Sequence, residues 1–351
     1  MTTLKYVGSR LIQAIVVIWL AYTLVFFAIQ LLPSDPVTIF LSQDSTPDPA
    51  TVAAMQKQYG YDLPVLAQYF HHLGGLFTGD VGYSLASGQP AAQRIGSVIG
   101  STLQLASGAF VLAVVFALAV SIAATLAPTD RGGFLRRLKA FLVGLPPFFA
   151  AVPVFWLGLI ILQLLAVQLG VMSLFPDGSA LALLVPMVVL ALHVSAPLAQ
   201  GVLKSLDTVY AQPYIEALRA RGVGEGRILF SHALKNAAAP ALTVAGVTVG
   251  TLLAGSIITE TVFARAGLGQ LVLQAVTNQD VPLIQGLVLL TSVVFVVVNL
   301  IVDLIHPLLD PRVLKASAKR RGGAAGANGK PGSDATAPQT VETLETKAAT
   351  A

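Results

Sequence analysis

Long apolar stretches alternate with short polar ones along most of this chain. Six windows free of Asp, Glu, Lys and Arg stand out, at 11–32, 98–127, 140–176, 178–203, 236–259 and 281–302, and they run from 22 to 37 residues. About 20 apolar residues suffice to cross the ~30 Å hydrocarbon layer of a bilayer. The pattern therefore predicts an all-α polytopic membrane protein with six transmembrane helices. The window 140–176 is too long for one straight span at about 1.5 Å per residue. Pro146, Pro147 and Pro153 inside it predict either a kinked span or two spans.

The polar segments predict smaller elements. In 33–97, Asp48 followed by Pro49 is a helix start, and Gly60 a stop. A second short helix starts at Asp62-Leu63-Pro64 and runs toward Gly74-Gly75. Leu66, Tyr69, Phe70, Leu73 and Phe77 fall at helical spacing on it. That face packs on the membrane domain or, on the sharper reading, docks a soluble partner through Tyr69 and Phe70. Segment 204–236 predicts two short helices with a glycine-permitted turn at Gly222, Gly224 and Gly226. From charge alone it reads as a solvated loop. Gly246-x-x-x-Gly250 is a small-xxx-small pattern that lets helices approach closely in lipid. Residues 311–351 lack large apolar side chains almost entirely and are expected to be a disordered tail. The expected layout is thus 1–32 (N-terminal segment and first span), 33–97 (extracytoplasmic), 98–310 (core transmembrane domain) and 311–351 (tail).

Composition agrees with membrane insertion. Hydrophobic residues are 55% of the 351 and charged residues 11%, against roughly 25% charged in an ordinary soluble domain. Charge also orients the chain, because Lys and Arg concentrate in cytoplasmic loops near the spans. With 140–176 as one span and the N-terminus inside, eighteen of the twenty-one Lys and Arg fall inside. Only Lys57, Arg94 and Arg265 fall outside. Splitting the window would push the five cations of 204–235 outside, so both termini are placed in the cytoplasm. The first apolar run is longer than a signal-peptide core and no A-x-A site closes it before Pro33. The net charge of +4 lies in 311–351, and the remainder balances. It predicts weak contact with anionic membrane lipid, and no nucleic-acid partner.

Candidate chemistry is sparse. There is no Cys, no hydrolase elbow and no H-E-x-x-H. The Gly-rich stretch near Lys330 fails as a phosphate loop, because Pro331 follows the lysine. Adjacent His71 and His72 point in different directions on a helix, so no metal site is expected. Glu260, Asp303 and His306 lie at span ends, where packing roles prevail over catalysis.

Several segments resemble the permease subunits of bacterial ABC importers. Glu216-Ala217-Leu218, then Gly222 three residues on, is similar to the EAA motif, departing only at Leu218. Arg219-Ala220-Arg221-Gly222 resembles the "RA(K/R)G" of the dipeptide, oligopeptide and nickel class. Ser231-His232-Ala233-Leu234-Lys235-Asn236 resembles its "HxL(R/K)N". Leu31-Leu32-Pro33-Ser34-Asp35-Pro36 is similar to "LLPGDP", and Gly79-Asp80-Val81-Gly82-Tyr83-Ser84 to "GDLGxS". Glu260-Thr261-Val262-Phe263 with Gly267-Leu268-Gly269 is similar to "ETVFxxxGLG". Asn299 to Asp303 with Leu309-Asp310-Pro311-Arg312 resembles the family's ending, with His306 where an aromatic is common.

The resemblance implies a type I ABC importer permease, the first of a pair, in the bacterial inner membrane. It implies that 204–236 seats on a cytoplasmic ATPase through Tyr214, Glu216, Ala217, Arg219, Arg221, Gly222, His232, Leu234 and Asn236. It implies as partners a second homologous permease, two ATP-binding cassette subunits and an extracytoplasmic solute-binding protein, which would touch Tyr69 and Phe70. ATP and Mg would bind those partner subunits, with no cofactor and no catalytic residue in this chain. Peptides are the expected cargo; nickel chelates, glutathione or another small solute are the alternatives, followed by an ion-coupled carrier.

Overall fold

The computed structural model describes residues 3–31, 35–42, 48–127 and 132–309. The tail 311–351 and Pro33-Ser34 lie outside the described residues, as do the side chains of Asp303 and His306.

The first span is α1 (Thr3–Gln30). The external segment follows as α2 (Pro36–Leu41), α3 (Pro49–Tyr59) and α4 (Val65–Phe77). The core is α5 (Ala91–Leu126), α6 (Gly132–Ala151), α7 (Val154–Leu162) continued by a π-turn to Gln168, and α8 (Ala180–Tyr210). Two short helices, α9 (Pro213–Ala220) and α10 (Glu225–Ile228), lead through a π-turn at Leu229–Ala233 into α11 (Leu234–Val262). A short α12 (Leu268–Thr277) precedes the last span, α13 (Val281–Leu309). Among the described residues there is no strand, and one isolated bridge joins Tyr83 to Pro90.

Five helices are long and apolar enough to cross a bilayer, and the pair α6–α7 passes the same test as one broken span bent by 101°. The predicted ambiguity at 140–176 resolves at Val152-Pro153. The two halves make one crossing, because they connect opposite ends of the bundle. At one end Ser121 of α5 donates to the Ala199 carbonyl of α8 at 3.4 Å, beside the α9–α10 element. At the other end Gly158 of α7 packs on Val262 and Phe263 at the close of α11. Since α5 and α8 both run from that second end toward the first, α6–α7 must cross back. At the break, His193 Nδ1 donates to the Val152 carbonyl at 3.2 Å, which gives this intramembrane histidine a structural partner.

Helix contact in lipid relies on close backbone approach, because lipid tails are as apolar as the side chains they would replace. Here glycines supply it. A Cβ on Gly108 would fall 2.7 Å from Met187, on Gly255 2.8 Å from Leu190, and on Gly250 2.6 Å from Phe295. Gly250 of the small-xxx-small pattern thus joins α11 to α13, and Gly246 is buried. A stripe not singled out from the sequence, Ala109, Ala113, Ala117 and Ser121, is fully buried along α5, on the side of the core cluster it shares with α8. Four-residue spacing of small residues was its signal. On α1, by contrast, Ile12, Ile15 and Leu24 are exposed, as expected of side chains that meet acyl chains.

The external segment follows its caps. Asp48 accepts from the Thr51 amide, Pro49 opens α3, and Gly60 closes it at φ 77°. Helix α4 starts after Pro64, and continues past Gly74-Gly75 to Phe77, because Asp80 N–H closes it on the Gly75 carbonyl. Its apolar face divides. Tyr69 is buried against Tyr22 and Phe26 of α1, and its hydroxyl shares a 2.9 Å hydrogen bond with Thr23. Tyr69 is therefore corrected from a docking residue to a packing residue. Leu66 and Phe70, one helical turn apart, are 65% and 66% exposed.

Candidate functional site

Polar structure gathers at two places, one at each end of the bundle. At the cytoplasmic end, α9 and α10 form a compact element. Helix α9 finishes with two reciprocal backbone bonds, Gly222 N–H to the Arg219 carbonyl at 2.9 Å and Val223 N–H to the Leu218 carbonyl at 3.1 Å. This is the Schellman arrangement, which needs a left-handed residue after the cap. Gly222 sits at φ 78° and satisfies that need.

The element stands on a buried base of Ile215, Ile228, Leu229 and Ala233, all fully buried. Leu229 and Ala233 cluster with Leu206 and Val202 of α8 and Ala237 of α11, so the element is wedged between two spans. Its outer face is polar. Arg219 Nε meets Glu225 Oε1 at 2.6 Å across the turn, and Nη2 lies 3.4 Å from Oε2. The same guanidinium lies 5.7 Å over the Tyr210 ring. Hydrogen bonding to Glu225 raises the Arg219 pKa above its ordinary value, so the charge is permanent. Both partners are about half exposed, so the pair braces the turn rather than adding much stability. Asn236 donates from Nδ2 to the Tyr214 hydroxyl at 3.0 Å, tying α9 to the start of α11.

Of the expected contact residues, Glu216, Ala217, Arg221 and Gly222 are exposed on this face, with Tyr214 at 39%. Arg219 is exposed but already engaged by Glu225. His232 and Leu234 are half-buried on the π-turn and α11. Glu225 is the residue sequence reasoning left out of the contact set. Its pairing depends on a turn that folds position 225 back onto 219.

At the outer end, Glu260 is fully buried. Its Oε2 accepts the Gly269 N–H at 2.7 Å, and Leu268 N–H donates to Thr102 Oγ1 at 2.9 Å. The two glycines of the 267–269 motif are spatially required. A Cβ on Gly267 would sit 2.3 Å from the Glu260 carboxylate, and one on Gly269 2.3 Å from the Ile257 carbonyl oxygen. The motif thus presses α12 flat on α11.

Asp280 makes a second clamp. It is fully buried before α13 and accepts from the Ser84 hydroxyl, the Leu85 N–H at 3.1 Å and the Leu283 N–H at 3.4 Å. The 79–84 motif is therefore a loop shaped to reach the α13 cap, with Gly79 and Gly82 at φ 79° and 89°. Asp280 was not singled out from the sequence, although Asp before Val281-Pro282 is a helix-start signal. Asp280→Ala strands several buried donors and is expected to cost about 2–4 kcal/mol. Thermal unfolding of the purified protein in detergent checks this; a midpoint equal to wild type would refute the clamp.

Asp35, in the segment after the first span, clasps the external helices. Burial pushes its carboxyl up, but bonds from Thr38, Gln56 and Val37 outweigh that and hold it below its ordinary value.

Comparison with known proteins places these motifs in context. Residues 132–315 match the family described as "Binding-protein-dependent transport system inner membrane component". Residues 3–105 match its N-terminal companion, "Binding-prot-dependent transport system membrane comp, N-term". The glutathione transport system permease protein GsiC of Salmonella typhimurium is 33% identical over 313 residues, covering 88% of this chain and 99% of the relative. GsiC of Escherichia coli K12 is 32% identical over 310 residues, with the same coverage. Two inward-facing structures of the MetNI methionine ABC transporter share the fold at 18% identity. Their TM-scores are 0.50 and 0.52, and they cover 61% and 62% of this chain and 95% and 96% of theirs.

Proposed function

The chain belongs to the family of binding-protein-dependent transport system inner membrane components, and from that premise we propose that it imports short peptides or peptide-like solutes such as glutathione. The family makes it a multi-pass inner-membrane permease subunit of an ABC importer, working with an ATPase, a solute-binding protein and a second permease. In the complex proposed, one homologous permease, two ATP-binding cassette subunits and one extracytoplasmic binding protein surround this chain. ATP and Mg bind the cassette subunits.

The observation that carries the reading is similarity to the glutathione permeases over nearly their whole length, joined to the α9–α10 element. A short rigid helix pair wedged between α8 and α11 transmits a push to both spans at once. ATP-driven closure of the cassettes moves α9 and α10, and the spans then open outward to receive solute. Reconstituted with its partners, the protein is expected to take up dialanine and glutathione only with ATP and binding protein present. Uptake that persists without ATP and collapses with the proton gradient would overturn the reading in favour of an ion-coupled carrier.

The docking reading of α4 narrows to Phe70. A photoreactive phenylalanine analogue at Phe70 is expected to crosslink the binding protein, and one at Tyr69 is not. Equal crosslinking from both positions would refute it.

A further inference from the structure

The external segment encloses a polar pocket that transport through the spans does not require. It has a volume of about 780 Å³ and lies between the end of α3, the face of α4, the 79–84 loop and the start of α13. That is the size of a small-molecule site. Its lining includes Lys57, Asp62, Tyr61, His71, Tyr83 and Gln285.

The pocket deepens into a small chamber. His72, Asp80, Val81 and Gln285 line both, and Tyr22 of α1 closes the far side. The chamber holds about 20 Å³, room for one water-sized group. Two of the residues lining it carry buried polar atoms without a partner, Tyr22 Oη and Gln285 Nε2. Tyr22 is only 3% exposed. Buried donors are nearly always satisfied, and leaving one unpaired is costly. Two around one chamber call for an acceptor that enters from the pocket. Burial and the adjacent His71 lower the His72 pKa below its ordinary value, which favours the neutral imidazole. Nearer the mouth the exposed Lys57 and Asp62 supply both signs of charge.

We propose that this pocket is an accessory site for a short zwitterionic peptide, with an amide oxygen meeting Gln285 and Tyr22 and the charged ends meeting Lys57 and Asp62. A carbonyl fills the water-sized chamber. The side chains of a di- or tripeptide occupy the wider part, against Tyr61 and Tyr83. The class of solute rests on the peptide-import reading; the site itself does not.

The test uses the purified full chain in lipid nanodiscs, without binding protein, and radiolabelled dialanine in equilibrium dialysis. Saturable binding is expected. Gln285→Leu removes the deep donor and is expected to weaken it about tenfold. Lys57→Met, an exposed change that leaves the fold intact, weakens it about threefold. Gly222→Val, at the opposite end of the bundle, leaves binding unchanged. Absence of saturable binding means that the pocket holds water only, and overturns the proposal. Binding unaffected by both Gln285→Leu and Lys57→Met overturns it as well, since the solute then sits elsewhere. Peptide uptake by the whole importer without binding here defeats the site alone. Binding here without uptake leaves the site standing and defeats the import reading.

Discussion

Replacing Gly222 with Val is expected to cut ATP-driven uptake sharply while the protein still folds and inserts. Gly222 is at φ 78°, and a Cβ there would meet nothing within 4 Å. The effect therefore acts through the backbone and not through a clash. An L-residue in the left-handed region costs about 1–2 kcal/mol, and a β-branched one stands at the upper end. The chain relieves that strain by leaving the left-handed conformation. Doing so breaks the bonds from Gly222 and Val223 to Arg219 and Leu218 and swings α9 away from α10. The Arg219–Glu225 pair across the turn goes with them. The spans are untouched, because no transmembrane contact passes through residue 222. Uptake in proteoliposomes is expected to fall by more than about tenfold, the equivalent of 1.4 kcal/mol. Gly222→Asn, which tolerates the left-handed region, is expected to retain most of it. Wild-type uptake by the Val variant would refute the coupling role of this turn.

The second large effect is structural. Gly269→Ala is expected to destabilise the protein by about 3–5 kcal/mol. The new Cβ would fall 2.3 Å from the Ile257 carbonyl oxygen and 2.9 Å from Ile257 Cα. Both are backbone atoms of α11, so no side-chain rotation makes room. Helix α12 must lift, and the buried Glu260 carboxylate then loses the Gly269 N–H that it accepts at 2.7 Å. Gly226→Ala is the control, since nothing lies within 4 Å of its added Cβ. Thermal unfolding of both variants in detergent separates the two cases. A Gly269→Ala midpoint equal to that of Gly226→Ala would show that α12 is not pressed on α11 as described.

Much of this architecture is legible in the sequence. The caps of α3 are local: a carboxylate accepts the amides ahead of it, proline tolerates the first turn, and glycine closes the last. The turn at Gly222 is local for the same reason. Sidedness was also legible, because it depends on where Lys and Arg fall along the chain. Other features were not. Tyr69 and Phe70 are neighbours in sequence with similar hydrophobicity, yet one packs on α1 and the other faces out. Helical spacing defines a broad apolar face, and only the position of α1 decides which stripe it covers. The pairing of Glu225 with Arg219 and the clamp made by Asp280 are not legible for a related reason: each acts on a residue brought near by a turn or a distant loop.

The sequence by itself determined the spans, their sidedness, the caps of α3 and the family, because hydropathy, charge and local backbone preference are properties of a residue and its near neighbours. Charge sidedness already favours one crossing for 140–176, and the tertiary structure alone decided that it is broken into α6 and α7 and bent by 101°. It also decided that Glu260 and Asp280 clamp the outer ends of the spans, and that Tyr22 and Gln285 share one chamber. These depend on which distant segments meet, and in lipid that choice rests on close fit between helices, which a linear pattern of apolar residues does not encode.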